Sequence, residues 1–267
     1  MAEQTKTITP ISKRNFAHRH YKRFPHFGHA ARDSVMPLVM LEIRSAMMDI
    51  PLVFLKEKEG YGLYGIASFL HRFNALLDGD GRFRTSYIPA CYRAYPFLFA
   101  TIETGEKVLC FDESSGLLVE EGGTDGLPFF DEQGNTAQNI QEIMLLIKSI
   151  ADSVVRTKQV VETLDSFGLI TPWDLNITLD GTTQKIEGFY SISEERLLQL
   201  RANELATLRD NDALALAYAQ IFSKQHVRQI EQLCNWILAA EKSRQQNLID
   251  QKGDLDIEFL NNETIPV

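Results

Sequence analysis

Surplus positive charge is the first thing this sequence lacks. It carries 27 Lys and Arg against 36 Asp and Glu, a formal net charge of −9. Phosphate backbones and anionic lipid surfaces are held by an excess of Lys and Arg, so neither nucleic acid nor a charged membrane surface is an expected partner. Cysteine is scarce as well. Cys91, Cys110 and Cys234 make an odd count with no CxxC among them, which argues against a disulfide framework and suits a reducing compartment. No apolar run approaches the ~20 residues that span a bilayer, so membrane insertion is not expected. The opening stretch MAEQTKTITPISKRN has no apolar core of the signal-peptide kind. A cytoplasmic location is therefore expected, with leaderless export to the cell surface also compatible.

Catalytic signatures are missing too. There is no GxGxxG or GxxxxGK[ST] for phosphates, no GxSxG nucleophile elbow and no HExxH zinc helix. No cofactor is expected. A nucleophile assembled in space from Cys91 or Cys110 with His71 or His226 stays open, although most cysteines are simply buried apolar residues. Asp112 and Glu113 are sequence neighbours, and neighbours on a strand point to opposite faces, which suits shared acid–base work poorly.

What is present is the composition of an ordinary globular protein, 44 % hydrophobic and 24 % charged. Residues 1–34 stand apart. They hold Lys6, Lys13, Arg14, Arg19, Lys22, Arg23 and Arg32 against Glu3 and Asp33, together with His18, His20, His26 and His29. No period organises them, and they read as a basic, partly ordered arm on an acidic body. The histidine spacing is irregular and no cysteine is near, so no metal is expected there. Because the body has its own apolar periodicity, removal of residues 1–30 is expected to leave the fold intact.

The body, residues 35–250, reads as one domain. Val35 to Leu41 is a strand or the lead into a helix, Glu42 to Met48 is helical, and Pro51 ends it. PLVFLKE and KEGYGLYGIASF are strands around a turn at Glu59-Gly60. Asp78 to Gly81 is a turn, too incomplete to be a calcium loop. PFLFATIE and KVLCFDE form a hairpin across Thr104-Gly105. SSGLLVEEGG and GLPFFDEQGN add short strands, so residues 35–135 are β-rich. From Thr136 the period becomes helical, with Ile140, Ile143, Met144, Ile147, Ile150, Ala151 and Val154 on one stripe and Gly168 as the C-terminal stop. Asp180-Gly181 closes a hairpin with arms Leu175 to Leu179 and Lys185 to Ile192. Ser193 caps a following helix. Residues 210–244 are strongly helical, with Leu214, Tyr218, Ile221, Phe222 and Gln225 at helical spacing. Residues 251–267 read as an acidic mobile tail. The fold class is α+β: a β-rich N-terminal half, a helical C-terminal half and an inserted hairpin.

The densest stretch is RTSYIPACYRAYPFLF, residues 84–99. Arg93 lies between tyrosines, where a guanidinium can stack on a ring and still donate in a planar fork. That suits a carboxylate or an aromatic group on a peptide; the alternative is that Arg93 staples a loop and the rings fill the core. Glu42 sits in an apolar surround and is either a surface position on the helix or a buried carboxylate that needs partners.

The body resembles the SapC family. PLVMLEIRSAMMDIPLVF is similar to its early block. YIPACYRAYPFLF is similar to its central signature, with Tyr87, Pro89, Arg93, Tyr95, Pro96, Phe97 and Leu98 in place. LPFFDEQGN, GFYSISEERLLQL and ALALAYAQIFSKQHVRQI follow in order, so the resemblance covers residues 35 to about 233. Cys91 departs from a position where the family tends to carry a small or aliphatic residue. The family is named for an association with bacterial surface layers and is distinct from the like-named permease of peptide transporters. Some relatives lie near genes for flavin-dependent tryptophan halogenases and cupin-like oxygenases.

The first expectation is a non-enzymatic binding or accessory protein of that family, which recognises a protein or peptide partner through the Tyr87–Phe97 segment. The expected binding residues are Tyr87, Tyr92, Arg93, Tyr95, Phe97 and Glu42. The alternatives are an enzyme or enzyme subunit in peptide or tryptophan modification, and a surface-layer component. Self-association into a homo-oligomer fits any of them.

Overall fold

A computed structural model describes residues 7–101, 105–119 and 125–259, and Pro51 and Gly60 set the start and the turn of a strand pair inside its five-stranded sheet. The first part of the chain runs β1 (Ile8–Pro10), α1 (Lys13–Phe16), β2 (His20–Tyr21), β3 (Val35–Pro37), α2 (Ile43–Ala46), β4 (Leu52–Lys56), β5 (Tyr61–Ile66), α3 (Ala90–Arg93), β6 (Phe97–Thr101), β7 (Lys107–Asp112) and β8 (Leu127–Pro128). The second part runs α4 (Gln138–Ser166), β9 (Ile170–Pro172), β10 (Leu175–Leu179), β11 (Thr182–Ile186), β12 (Phe189–Ile192), α5 (Glu194–Leu198), α6 (Ala202–Asp210), α7 (Ala213–Ser223) and α8 (Val227–Phe259). The architecture is α+β.

An antiparallel sheet of order β3-β5-β4-β12-β9 is the hub. Successive side chains on a strand face opposite ways, so β4 feeds two cores. Leu52 and Phe54 join Leu63, the C-terminal half of α4 (Val160, Val161, Leu164) and Leu216 of α7. Val53 joins Met36, Ile66, Ile177 of β10 and Ile230 and Cys234 of α8 on the other side. A third core lies under the sheet β1-β7-β6. It is aromatic: Phe16, Tyr21, Phe97, Phe111 and Phe129 close on Ile140 and Ile147 of α4.

Much of the expected pattern is realised. β4 and β5 pair across Gly60, which takes the positive φ of +78° that the tight turn requires. β6 and β7 pair as a hairpin, although Thr104 lies outside the described residues. Part of the expected strand content in SSGLLVEEGG, residues 120–123, lies outside them too. α4 is one continuous helix of 29 residues, and Gly168 ends it at φ +63° with its N–H on the Asp165 carbonyl. Ser193 caps α5 by accepting from the Arg196 N–H. α8 continues through Phe259, and residues 260–267 lie outside the description.

Four expectations are corrected. The second arm of the Asp180-Gly181 hairpin is two strands. Thr182–Ile186 pairs with β10, and after Gly188, at φ +81°, the chain crosses into the hub sheet as β12. Residues 67–89 carry no named strand, so the β-rich half is interrupted by a long ordered loop. The 210–244 helix breaks at a 3-10 turn, Lys224–His226. Its apolar stripe holds only in part: Leu214 and Ile221 pack against the first core. Tyr218 and Phe222 are exposed, stacked on each other at 5.8 Å, and the buried face is Ala213, Leu216, Ala217, Gln220 and Ser223. Gln220 donates to the Leu52 carbonyl at 3.1 Å and accepts from the Ile192 N–H at 2.9 Å. Ser223 accepts from the Leu52 N–H at 2.9 Å. Polar side chains that serve the sheet backbone sit inside, which a hydrophobicity stripe cannot register.

The basic stretch is woven into the body. β1 adds to the edge of β7, and Phe16, Tyr21 and Ala30 are buried in the cores. The expectation that the body folds without residues 1–30 is therefore reversed.

Candidate functional site

Glu42 is the anchor of the site. It ends a 3-10 turn at Met40–Glu42 and is only 4 % exposed, so the surface alternative for it does not hold. A buried carboxylate must be saturated with donors. Its Oε1 accepts from the Val39 N–H at 3.0 Å, and its Oε2 from the Tyr87 hydroxyl at 2.7 Å and the Ala90 N–H at 2.8 Å. One carboxylate thus clamps the start of α3 to the turn before α2.

The chain continues outward. Arg93 Nη2 donates to the Tyr87 hydroxyl at 3.2 Å, and its guanidinium carbon lies 5.6 Å from the Tyr87 ring centroid. Arg93 is exposed, so Glu42, Tyr87 and Arg93 form a line from the core to solvent. Burial, with the hydrogen bond to Glu42 second, pushes the Tyr87 phenol well above its ordinary range and keeps it a donor. Asp49 sets the entry to this line, accepting from the Ser86 N–H at 3.0 Å, the Tyr87 N–H at 3.1 Å and the Ser86 hydroxyl.

The other aromatics divide. Tyr92 is buried with its hydroxyl on Asp33 at 2.9 Å, and burial holds its phenol protonated. It is a strut. Tyr95 stacks on His29 at 3.9 Å between centroids and 13° between planes, and the Tyr95–Pro96 peptide is cis. Phe97 is buried in the third core, edge-on to Tyr21 at 4.9 Å.

A cleft of about 450 Å³ opens where this segment meets the arm and α4. Arg93, Tyr95, Pro96 and Phe97 line one side, Arg23 and Phe24 a second, and Asn139, Glu142, Ile143 and Leu146 the third. Of the six expected site residues, Arg93, Tyr95 and Phe97 line it. Tyr87 holds Arg93 from behind, Glu42 reaches the cleft only through Tyr87, and Tyr92 is absent from its lining. A larger groove of about 680 Å³ passes Asp78, Arg84 and Trp236. Two of its polar side chains are engaged: Arg84 lies over the Trp236 ring at 5.3 Å, and Asp78 takes the Asp80 and Arg82 N–H groups.

Sequence reasoning missed His29, Asp33 and Arg23. All three come from the basic stretch: only distant partners, Tyr95 and Tyr92, reveal His29 and Asp33, and only the cleft lining reveals Arg23. Among the described residues no hydrogen bond joins Cys91 or Cys110 to His71 or His226. Burial first, then Glu42 and Asp33, pushes the Cys91 thiol up to about 12, and burial raises Cys110 as well. A thiol held protonated is a poor nucleophile. His226 instead meets Gln229 at 3.0 Å. Glu113 is engaged by Arg19 at 3.3 Å and Asp112 caps Ser114 at 3.1 Å. Among the described residues no three His, Cys, Asp or Glu side chains gather as a metal-ligand set. None of the described helices is long and apolar enough to cross a membrane.

Fold and cleft together define an α+β protein with an arginine- and aromatic-lined recess braced by a buried carboxylate. The chain belongs to the SapC family, whose model matches residues 11–230. The match starts inside the basic stretch, earlier than the block from residue 35 that carries the resemblance, in keeping with the burial of Phe16 and Tyr21. No curated protein and no solved structure matches the chain significantly.

Proposed function

We propose that the protein is a binding or accessory module without chemistry of its own, which takes a protein or peptide partner in the cleft beside Arg93 and Tyr95. The observation that carries this reading is the cleft itself. It falls within the usual size of ligand recesses, has an apolar floor, and is flanked by a guanidinium whose fork is aimed by Tyr87 and Glu42. Aromatic and arginine side chains are the residue types that dominate binding hot spots. The buried carboxylate then has a purpose beyond packing: it fixes the ring on which Arg93 rests, so the guanidinium is placed before any partner arrives.

Arg93→Lys tests the reading. Lysine keeps the charge but loses the planar fork and the stacking. Partner affinity should fall by about 1.5–3 kcal/mol, the range of a charge-assisted hydrogen bond. Because Arg93 is exposed, stability should move by only about 0.5 kcal/mol. Pull-downs from native lysate and thermal melts, run on wild type and variant, read both quantities. Undiminished partner recovery by the variant would remove the cleft from the account.

A further inference from the structure

The charges around the cleft are unequal in their freedom. In the basic stretch, Arg19 pairs with Glu113 at 3.3 Å and Lys22 with Asp125 at 2.8 Å. Among the described residues, Arg23 and Arg93 pair with no carboxylate. Both are exposed, both line the cleft, and Arg93 donates only to a tyrosine hydroxyl. In a chain of net charge −9, two arginines left facing one recess need an explanation. A third charge lies opposite them. Glu142 also lines the cleft, and it takes a hydrogen bond from Gln138 at 3.2 Å. With Lys22 neutralised by Asp125, the unpaired groups are two cations and one anion. That balance favours a monoanion and penalises a phosphate dianion.

The floor narrows the class further. Phe97, Ile143 and Leu146 lie in the same recess as the arginines, so the occupant presents an anion and an apolar group close together. The last residue of a polypeptide does this, because its carboxylate and its side chain share one Cα. An internal Asp or Glu spends its side chain on the charge and leaves the floor to a neighbour. Capture of a chain terminus by positioned donors is an established mode of peptide recognition. We infer that the cleft binds the C-terminal carboxylate of a polypeptide ending in an apolar or aromatic residue, with Arg23 and Arg93 on the carboxylate and Phe97, Ile143 and Leu146 under the side chain.

This inference rests on the binding-module reading, and the test keeps the two apart. Three probes are titrated into the full chain: an N-acetylated hexapeptide ending in phenylalanine with a free carboxylate, the same peptide as its C-terminal amide, and N-acetylphenylalanine. The acid should bind about tenfold or more tighter than the amide, the loss expected when a charge-assisted pair disappears. Arg23→Gln should bring the acid down to the level of the amide, with an unchanged melting temperature showing that the variant is folded. N-acetylphenylalanine should bind more weakly than the acid peptide, because it lacks the preceding residues. Equal binding of acid and amide, or no binding of the acid, overturns the inference. N-acetylphenylalanine binding as tightly as the peptide overturns it too, by making the occupant a small carboxylate. If the peptides fail while Arg93→Lys still loses its partner, the cleft reading survives and only the chain terminus falls. If Arg93→Lys keeps its partner, the cleft reading itself falls.

Discussion

Removal of residues 1–30 is expected to abolish cooperative folding. The stretch carries the composition of a loose arm, yet it supplies the edge strand β1 and the buried rings of Phe16 and Tyr21. Phe16 meets Phe129 at 4.6 Å, and Tyr21 meets Phe97 and Phe129 at 4.9 and 5.1 Å. Truncating one such ring in a core costs about 3–5 kcal/mol. Losing two, with Ala30 and a strand, approaches the whole stability of a typical domain, about 5–15 kcal/mol. The deletion would also uncover Phe111 and Phe129, so aggregation should accompany it. Phe16→Ala is the milder form and should lower the melting temperature by about 6–20 °C, taking about 2–4 °C per kcal/mol for a chain of this size. Circular dichroism melts of both variants decide it. A truncated protein that melts cooperatively within ~8 °C of wild type would mean that the third core closes without the stretch, since that shift corresponds to only about 2–4 kcal/mol.

Glu42→Leu should be the most damaging single substitution near the site. Leucine fills much of the space but leaves two buried donors, the Val39 and Ala90 N–H groups, and the half-buried Tyr87 hydroxyl with nothing to accept them. Each unsatisfied buried group costs about 1–3 kcal/mol, so a loss of about 3 kcal/mol or more is expected. Glu42→Gln should cost less. Its one oxygen keeps part of the clamp, while its NH2 group faces donors it cannot satisfy. Both variants should weaken partner binding beyond what unfolding explains, because the Tyr87 ring that carries Arg93 is no longer fixed. Chemical denaturation gives the stability, and binding per folded molecule gives the rest. If Glu42→Leu is as stable as wild type, the carboxylate is not the clamp described here.

Legibility in the sequence followed the physics of each element. The hub hairpin, α4 and the Ser193 cap were readable because alternation, a 3.6-residue stripe and a capping side chain are local signals. The buried face of α7 was not, because alanines and the polar Gln220 and Ser223 form it while Tyr218 and Phe222 face out. The split of the hairpin arm at Gly188 depended on a partner strand, β4, more than a hundred positions earlier. The site was half readable. Arg93, Tyr95 and Phe97 are crowded into one short stretch, and Glu42 is conspicuous as a charge among apolar residues. Arg23, His29 and Asp33 come from a segment with no period, and nothing local ties Asp33 to Tyr92, His29 to Tyr95 or Arg23 to the cleft. Tyr92 and Phe97 show the converse. Their density read as a surface, and the fold turned one into a strut on Asp33 and the other into floor and core.

The central claim is that a partner sits between α4 and the Arg93–Phe97 turn. Site-specific photocrosslinking tests it most directly. Glu142, exposed on the cleft, is replaced by a benzoylphenylalanine crosslinker in one protein, and Tyr218, exposed on α7, in another. Each is irradiated in native lysate beside its Arg93→Lys counterpart. The account predicts a discrete adduct from position 142, its loss in the Arg93→Lys background, and none from position 218. An adduct from position 218 alone, or one from 142 that is indifferent to Arg93, would contradict it.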